Sequence, residues 1–146
     1  MKKKRFVMVI ISIILIILAI VVCYKNTNLT FSKENYKNTD NKIKVFMDKL
    51  NDKNGIYLYS DGTNDMYLFL NGYNVNIGEK ASYFTDIEME VKDRTLIINF
   101  NEKYTDDYIN KEIDNRVLYK IKQPKNVDTI RIYKNEQETH FDSIGN

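Results

Sequence analysis

The sequence predicts an N-terminal transmembrane helix followed by a mostly antiparallel β domain of α+β class, with one amphipathic helix packed on the sheet. Three patterns predict it: an uncharged apolar run from Phe6 to Tyr24, one stretch of helical periodicity at residues 41–52, and two-residue alternation over most of the chain beyond Gly55. Four segments follow from these patterns. Residues 1–5 are a cytoplasmic basic flank, 6–24 the membrane anchor, 25–38 a tether, and 39–146 an extracytoplasmic β-rich domain.

As a helix the run from Phe6 to Tyr24 is roughly 28 Å long at about 1.5 Å per residue, the thickness of a bilayer core. It is longer than the apolar part of an ordinary cleaved signal. Ile20, Val21 and Val22 stand where attachment of a lipid to Cys23 would need a small residue, so the run reads as an uncleaved signal anchor. Lys2, Lys3, Lys4 and Arg5 precede it and every acidic residue follows it. The positive-inside tendency then places the N-terminus in the cytoplasm and the C-terminal domain outside a cell membrane crossed once.

Residues 25–38 are polar and aperiodic, as a tether is. Ile43, Phe46, Met47 and Leu50 fall at i, i+3, i+4 and i+7, with Asp40 or Asn41 as the cap and Asn54-Gly55 as the stop. Beyond Gly55 the segments IYLYS and MYLFL flank SDGTND, LFL and YNV flank Asn71-Gly72, and DIEMEV and TLIINF flank Lys92-Asp93-Arg94. Each reads as a strand pair joined by a short turn. Ile87, Met89 and Val91 alternate with Asp86, Glu88 and Glu90, and Leu96, Ile98 and Phe100 with Thr95, Ile97 and Asn99, giving one buried and one wet face. VLYKIK and TIRIYK enclose the single proline, Pro124, and a last strand contains Thr139 to Asp142. Residues 102–116 read equally as a loop or as a short helix capped at Thr105.

Charge and cysteine content exclude several functions. Setting aside the four basic residues of the flank leaves 18 of the 22 against 20 acidic ones, near −2, so nothing marks the domain for nucleic acid. One cysteine cannot form an internal disulfide, and Cys23 with His140 cannot build a metal cage, so no metal and no cofactor is expected. Asp61-Gly62-Thr63-Asn64-Asp65 has the residue types of a calcium loop without its spacing and reads as a hairpin turn. His140 shares a strand face with Glu138 and Asp142 if that segment is extended, yet no nucleophile accompanies it. Catalytic residues are therefore not assigned. The aromatic load is more informative, with 11 Tyr and 7 Phe. Tyr57 and Tyr59 share one face of their strand, and Tyr67 and Phe69 repeat the split. These four are either core beneath the helix or part of an open partner-binding patch.

The run YLFLNGYNVNIGEKASYFTDIEMEVKDRTLIINFNE, followed by NRVLYKIKQPK, resembles the C-terminal β-domain of protease-complex subunit proteins over about residues 66–125. The likeness lies in the order strand, glycine-containing loop, strand, VKDRTLII hairpin and YKIKQP strand. Where that family carries Thr-Gly-Gly-Tyr, this chain has Gly78 to Tyr83, and Tyr83 alone matches. The resemblance implies a non-catalytic partner of an envelope protease or similar complex and adds Tyr83 to the partner-binding candidates. The expected function is thus a membrane-anchored binding module, a subunit of a cell-envelope complex, whose partners are the bilayer and another envelope or secreted protein. The alternatives are an immunity-type inhibitor of a secreted toxin or protease, and a small hydrolase using His140.

Overall fold

The computed structural model describes residues 29–63, 65–107, 110 and 112–146, together with Ile13, Ile14 and Ile16. Among them are the strands β1 (Thr30–Glu34), β2 (Gly55–Ser60), β3 (Asp65–Asn71), β4 (Ala81–Lys92), β5 (Thr95–Thr105), β6 (Arg116–Lys122), β7 (Thr129–Lys134), β8 (Gln137–Thr139) and β9 (Ser143–Gly145), and the helix α1 (Asn41–Asp48). The strands build two sheets, ordered β1-β6-β3-β2-β9 and β4-β5-β7-β8. The pairings β2·β9 and β5·β7 are parallel and the others antiparallel.

Alternation decides which side chains meet between the sheets. Leu58, Met66, Leu68, Leu70 and Ile121 from the first sheet pack against Phe84, Met89, Leu96, Ile98, Phe100 and Ile132 from the second. This layer removes the most apolar surface from water and is the main source of stability. A second, smaller cluster lies on the other face of the first sheet, where Ile43 and Met47 of α1 meet Tyr57, Tyr59, Tyr67, Phe69 and Leu118.

The turns are tight. Asp93 and Arg94 both have positive φ, +48° and +63°, and join Lys92 to its partner Thr95; Asn135 and Glu136, at +51° and +67°, join Lys134 to Gln137. Two consecutive left-handed residues match the right-handed twist of the flanking strands. In β4 the pairing jumps from Thr85↔Asn101 to Glu88↔Asn99, so Asp86 and Ile87 together stand opposite Phe100. This bulge, with Asp86 at φ +53°, bends the strand. It also takes Asp86 out of the expected row with Glu88 and Glu90. Its carboxylate accepts from Asn101 and Thr85 and faces Lys103, which together hold its pKa below the usual carboxylate range.

The predicted fold class needs correction in four places. First, among the described residues no helix is long and apolar enough to cross a membrane. The longest, α1, has eight residues, about 12 Å of helix against the roughly 30 Å of a bilayer core. Of the expected anchor 6–24, only Ile13, Ile14 and Ile16 are described, and the rest lies outside the described residues. The single-pass placement, the signal anchor and the orientation with an outer C-terminal domain have no support from any described element. Second, part of the expected tether is β1, because Thr30 to Glu34 find partners in Lys122 to Leu118.

Third, the helix is shorter and differently placed than 41–52 on a single sheet. It starts where the Asp40 side chain accepts the Lys42 N–H at 2.8 Å, and it ends at Asp48, after which Asn71 Nδ2 donates to the carbonyls of Leu50 and Lys53. It covers an outer face, whereas the principal core lies between two sheets. Fourth, one expected strand pair is not a hairpin. The chain leaves the first sheet after Asn71, with Gly72 N–H donating to Asn115 at 2.8 Å, and residues 73–75 form no strand. The strands on either side of Pro124 lie in different sheets, β6 beside β3 and β7 parallel to β5. Residues 102–105 of the ambiguous segment simply continue β5.

Candidate functional site

Four of the five predicted partner-binding residues are inside. Tyr57, Tyr59, Tyr67 and Phe69 are 3%, 7%, 8% and 1% exposed, beneath Ile43 and Met47. Burial pushes the hydroxyl pKa of Tyr57 and Tyr67 up, and the Tyr57 hydroxyl is shared between the carbonyls of Lys53 and Asn54. Tyr83 is half-buried on the second sheet, opposite Lys103. The five do not form one surface.

His140 does not gather its acidic neighbours, because β8 ends at Thr139 and the chain crosses to the other sheet. Glu138 stays with Arg131 at 3.8 Å, while Asp142 Oδ2 accepts the Ile56 N–H at 2.7 Å. His140 is exposed on the rim of a cleft of about 300 Å³ between the sheets, which Asn71, Glu102, Lys134 and Asp142 also line. Glu102 holds Lys134 at 3.0 Å and raises its pKa through that hydrogen bond. Of the charged groups here, Glu102 and Lys134 are committed to each other and Asp142 to the Ile56 backbone. At the expected hairpin turn, Asp61 accepts from the Thr63 N–H and hydroxyl and Asp65 pairs with Lys120 at 2.8 Å, so the carboxylates complete a turn and a salt bridge. Among the described residues no group of three His, Cys, Asp or Glu side chains is placed to hold a metal.

A different cleft, of about 320 Å³, opens beside the C-terminal end of α1. Met47, Phe69 and Leu118 supply apolar lining, and Glu34, Asp48 and Arg116 supply charge. Arg116 begins β6 on the same face as Leu118, opposite Asn71 of β3. Its guanidinium carbon lies 5.6 Å from the ring centre of Phe69 and 5.5 Å from that of Tyr73. Such stacking satisfies the face of the cation and leaves its N–H edge free. Among the described residues no carboxylate pairs with it: Asp48 accepts the Tyr36 hydroxyl at 2.6 Å, Asp114 takes Lys33, and Glu34 accepts from Ser32 at 2.9 Å.

The segment that carries Tyr73, beside Arg116, is held by asparagines. Asn71, 1% exposed, donates to two carbonyls of the segment after α1 and accepts the Tyr73 N–H at 3.2 Å. Asn54 and Asn74 exchange hydrogen bonds at 2.6 Å and 2.8 Å, and Asn74 also reaches the Asn51 carbonyl. Fully paired polar groups of this kind fix geometry as well as contributing stability. Tyr73 itself remains 58% exposed, so the network holds up a ring that faces solvent. Sequence reading missed this site. Its local signal was only that Arg116, Leu118 and Lys120 share a strand face, and what the face meets depends on a pairing forty-odd residues back along the chain.

Compared with protein-family models, with curated proteins and with solved structures, the chain finds no match in any of the three.

Proposed function

We propose that this chain is a non-catalytic protein-binding module, a subunit of a protein complex. The observation that carries the reading is Arg116, a stacked cation that pairs with no carboxylate among the described residues, lining a cleft with an apolar floor beside an exposed tyrosine. Arginine and tyrosine in partly desolvated pockets are the residue types that dominate binding energy at protein interfaces. The resemblance of residues 66–125 to the β-domain of protease-complex subunits supports the same reading. A photoreactive phenylalanine analogue in place of Tyr73 tests it in cells. A discrete adduct is expected at that position, absent when the analogue replaces Asp93 on the far hairpin, and lost in Arg116→Gln. A protease in the adduct, identified by mass spectrometry, supports a complex subunit; equal labelling from both positions overturns the binding reading.

A further inference from the structure

The walls of the Arg116 cleft are of three kinds, and together they narrow what fits. The guanidinium edge presents parallel N–H donors in a planar fork that matches a carboxylate. Met47, Phe69 and Leu118 form an apolar surface next to it. Glu34 and Asp48 each have one carboxylate oxygen taken by a hydroxyl, from Ser32 and Tyr36, and one oxygen left to accept. With one cation against two acids the cleft disfavours a multiply charged anion such as phosphate, which would meet Glu34 and Asp48 across it. An acidic side chain within a peptide carries a carboxylate but no apolar group on the same residue. A peptide C-terminus carries a single carboxylate, a side chain and an amide N–H on one residue. At about 320 Å³ the cleft is near the small end of ligand pockets, which run from about 300 to 1,000 Å³, and has room for a terminal residue rather than a long segment.

We propose that this cleft binds the C-terminal residue of a partner chain. Its carboxylate sits on Arg116, an apolar side chain on Met47, Phe69 and Leu118, and its amide N–H on the acidic rim. The assignment rests on the binding reading above and adds the chemistry of the ligand. The minimal probe is N-acetyl-leucine, titrated into the full chain labelled at methionine methyls and backbone amides and followed by NMR. Saturable shifts are expected at the Met47 methyl and the Leu118 amide. N-acetyl-leucinamide, which lacks the carboxylate, and N-acetyl-glycine, which lacks the side chain, should each bind at least tenfold more weakly. Arg116→Gln and Arg116→Lys should weaken the acid by tenfold or more, the lysine variant because it keeps the charge and loses the fork.

Equal binding of acid and amide to the unaltered protein overturns the proposal without needing any variant to fold. So does the lack of a saturable Met47 shift with N-acetyl-leucine. If that titration fails while Arg116→Gln still abolishes the Tyr73 adduct, the cleft binds a partner through some other group. If the acid binds and the adduct survives Arg116→Gln, the terminus inference holds and the partner surface lies elsewhere.

Discussion

Lys120 and Arg116 stand on one face of β6, four residues apart, each with its cation against an aromatic ring. The Lys120 ammonium is 5.8 Å from the Tyr67 ring centre and 2.8 Å from Asp65, whereas Arg116 rests on Phe69 and Tyr73 and forms no ion pair among the described residues. The two ends of the same face therefore differ in completeness. Around Lys120 the β2–β3 hairpin supplies the counter-charge from the first residue of β3. Around Arg116 the helix has ended, the next segment is tied back by Asn71, and a cleft remains where a counter-charge would sit. A cation held by aromatics and paired with no described carboxylate leaves its N–H edge for an external anion, and the binding proposed above uses this end of the face.

The largest effect should come from the layer that both ends share. Phe100→Ala removes a ring that is 2% exposed between the sheets and is expected to cost about 3–5 kcal/mol, much of the stability of a domain this size. A urea melt of the full chain measures it. A loss below about 1 kcal/mol would mean that the two sheets are not one core.

Next comes Asn71→Ala, which strips the Leu50 and Lys53 carbonyls, in the segment after α1, and the Tyr73 N–H of their partner. A buried group left unpaired costs about 1–3 kcal/mol, and these part-buried ones cost less each. The variant should lose stability and also the ordered placement of Tyr73, so that labelling from position 73 becomes unspecific. Retention of the Arg116-dependent adduct would separate the asparagine network from the site. Tyr57→Phe should cost less, about 0.5–1.5 kcal/mol, because only the hydroxyl shared by Lys53 and Asn54 is lost while the ring keeps its packing.

Much of this architecture is visible in the pattern of single strands and little of it in their order. Met89, Leu96, Ile98 and Phe100 are buried where period two puts them, and the Lys92-Asp93-Arg94 turn joins the strands that flank it. The same rule misreads Asn71-Gly72, whose turn chemistry is genuine but leads out of the sheet toward Asn115. Local pattern says that a strand has two faces; it does not say that β5 returns to the first sheet as β6 and then to the second as β7. Arg116 was invisible for that reason. Its ring partners, Phe69 and Tyr73, become neighbours only through the β3·β6 register. The tyrosine face illustrates the converse, since apolar alternation on both sides of a hairpin is compatible with a helix cover or an open patch. Only the position of Ile43 and Met47 tells which face is covered.

The smallest expected effect discriminates most directly between Lys120 and Arg116. The hydrogen bond that Lys120 donates to Asp65 raises the Lys120 pKa above its ordinary value of 10.5. A group whose pKa is raised on folding stabilises the fold below its unfolded pKa, and that contribution fades as pH climbs through the folded one. The pair is partly exposed, with side chains 40% and 24% accessible, so solvent screening limits it to about 0–1 kcal/mol. Lys120→Met should therefore be slightly less stable than the parent at pH 7, and the gap should close in urea melts above pH 11, each compared with the parent at the same pH so that tyrosine ionisation cancels. Arg116→Gln should change stability by no more than about 0.5 kcal/mol at either pH, because no carboxylate is left behind when the guanidinium goes. If Arg116→Gln instead cost more than 1 kcal/mol at pH 7, the arginine would be a structural residue, and the contrast between the two ends of β6 would vanish.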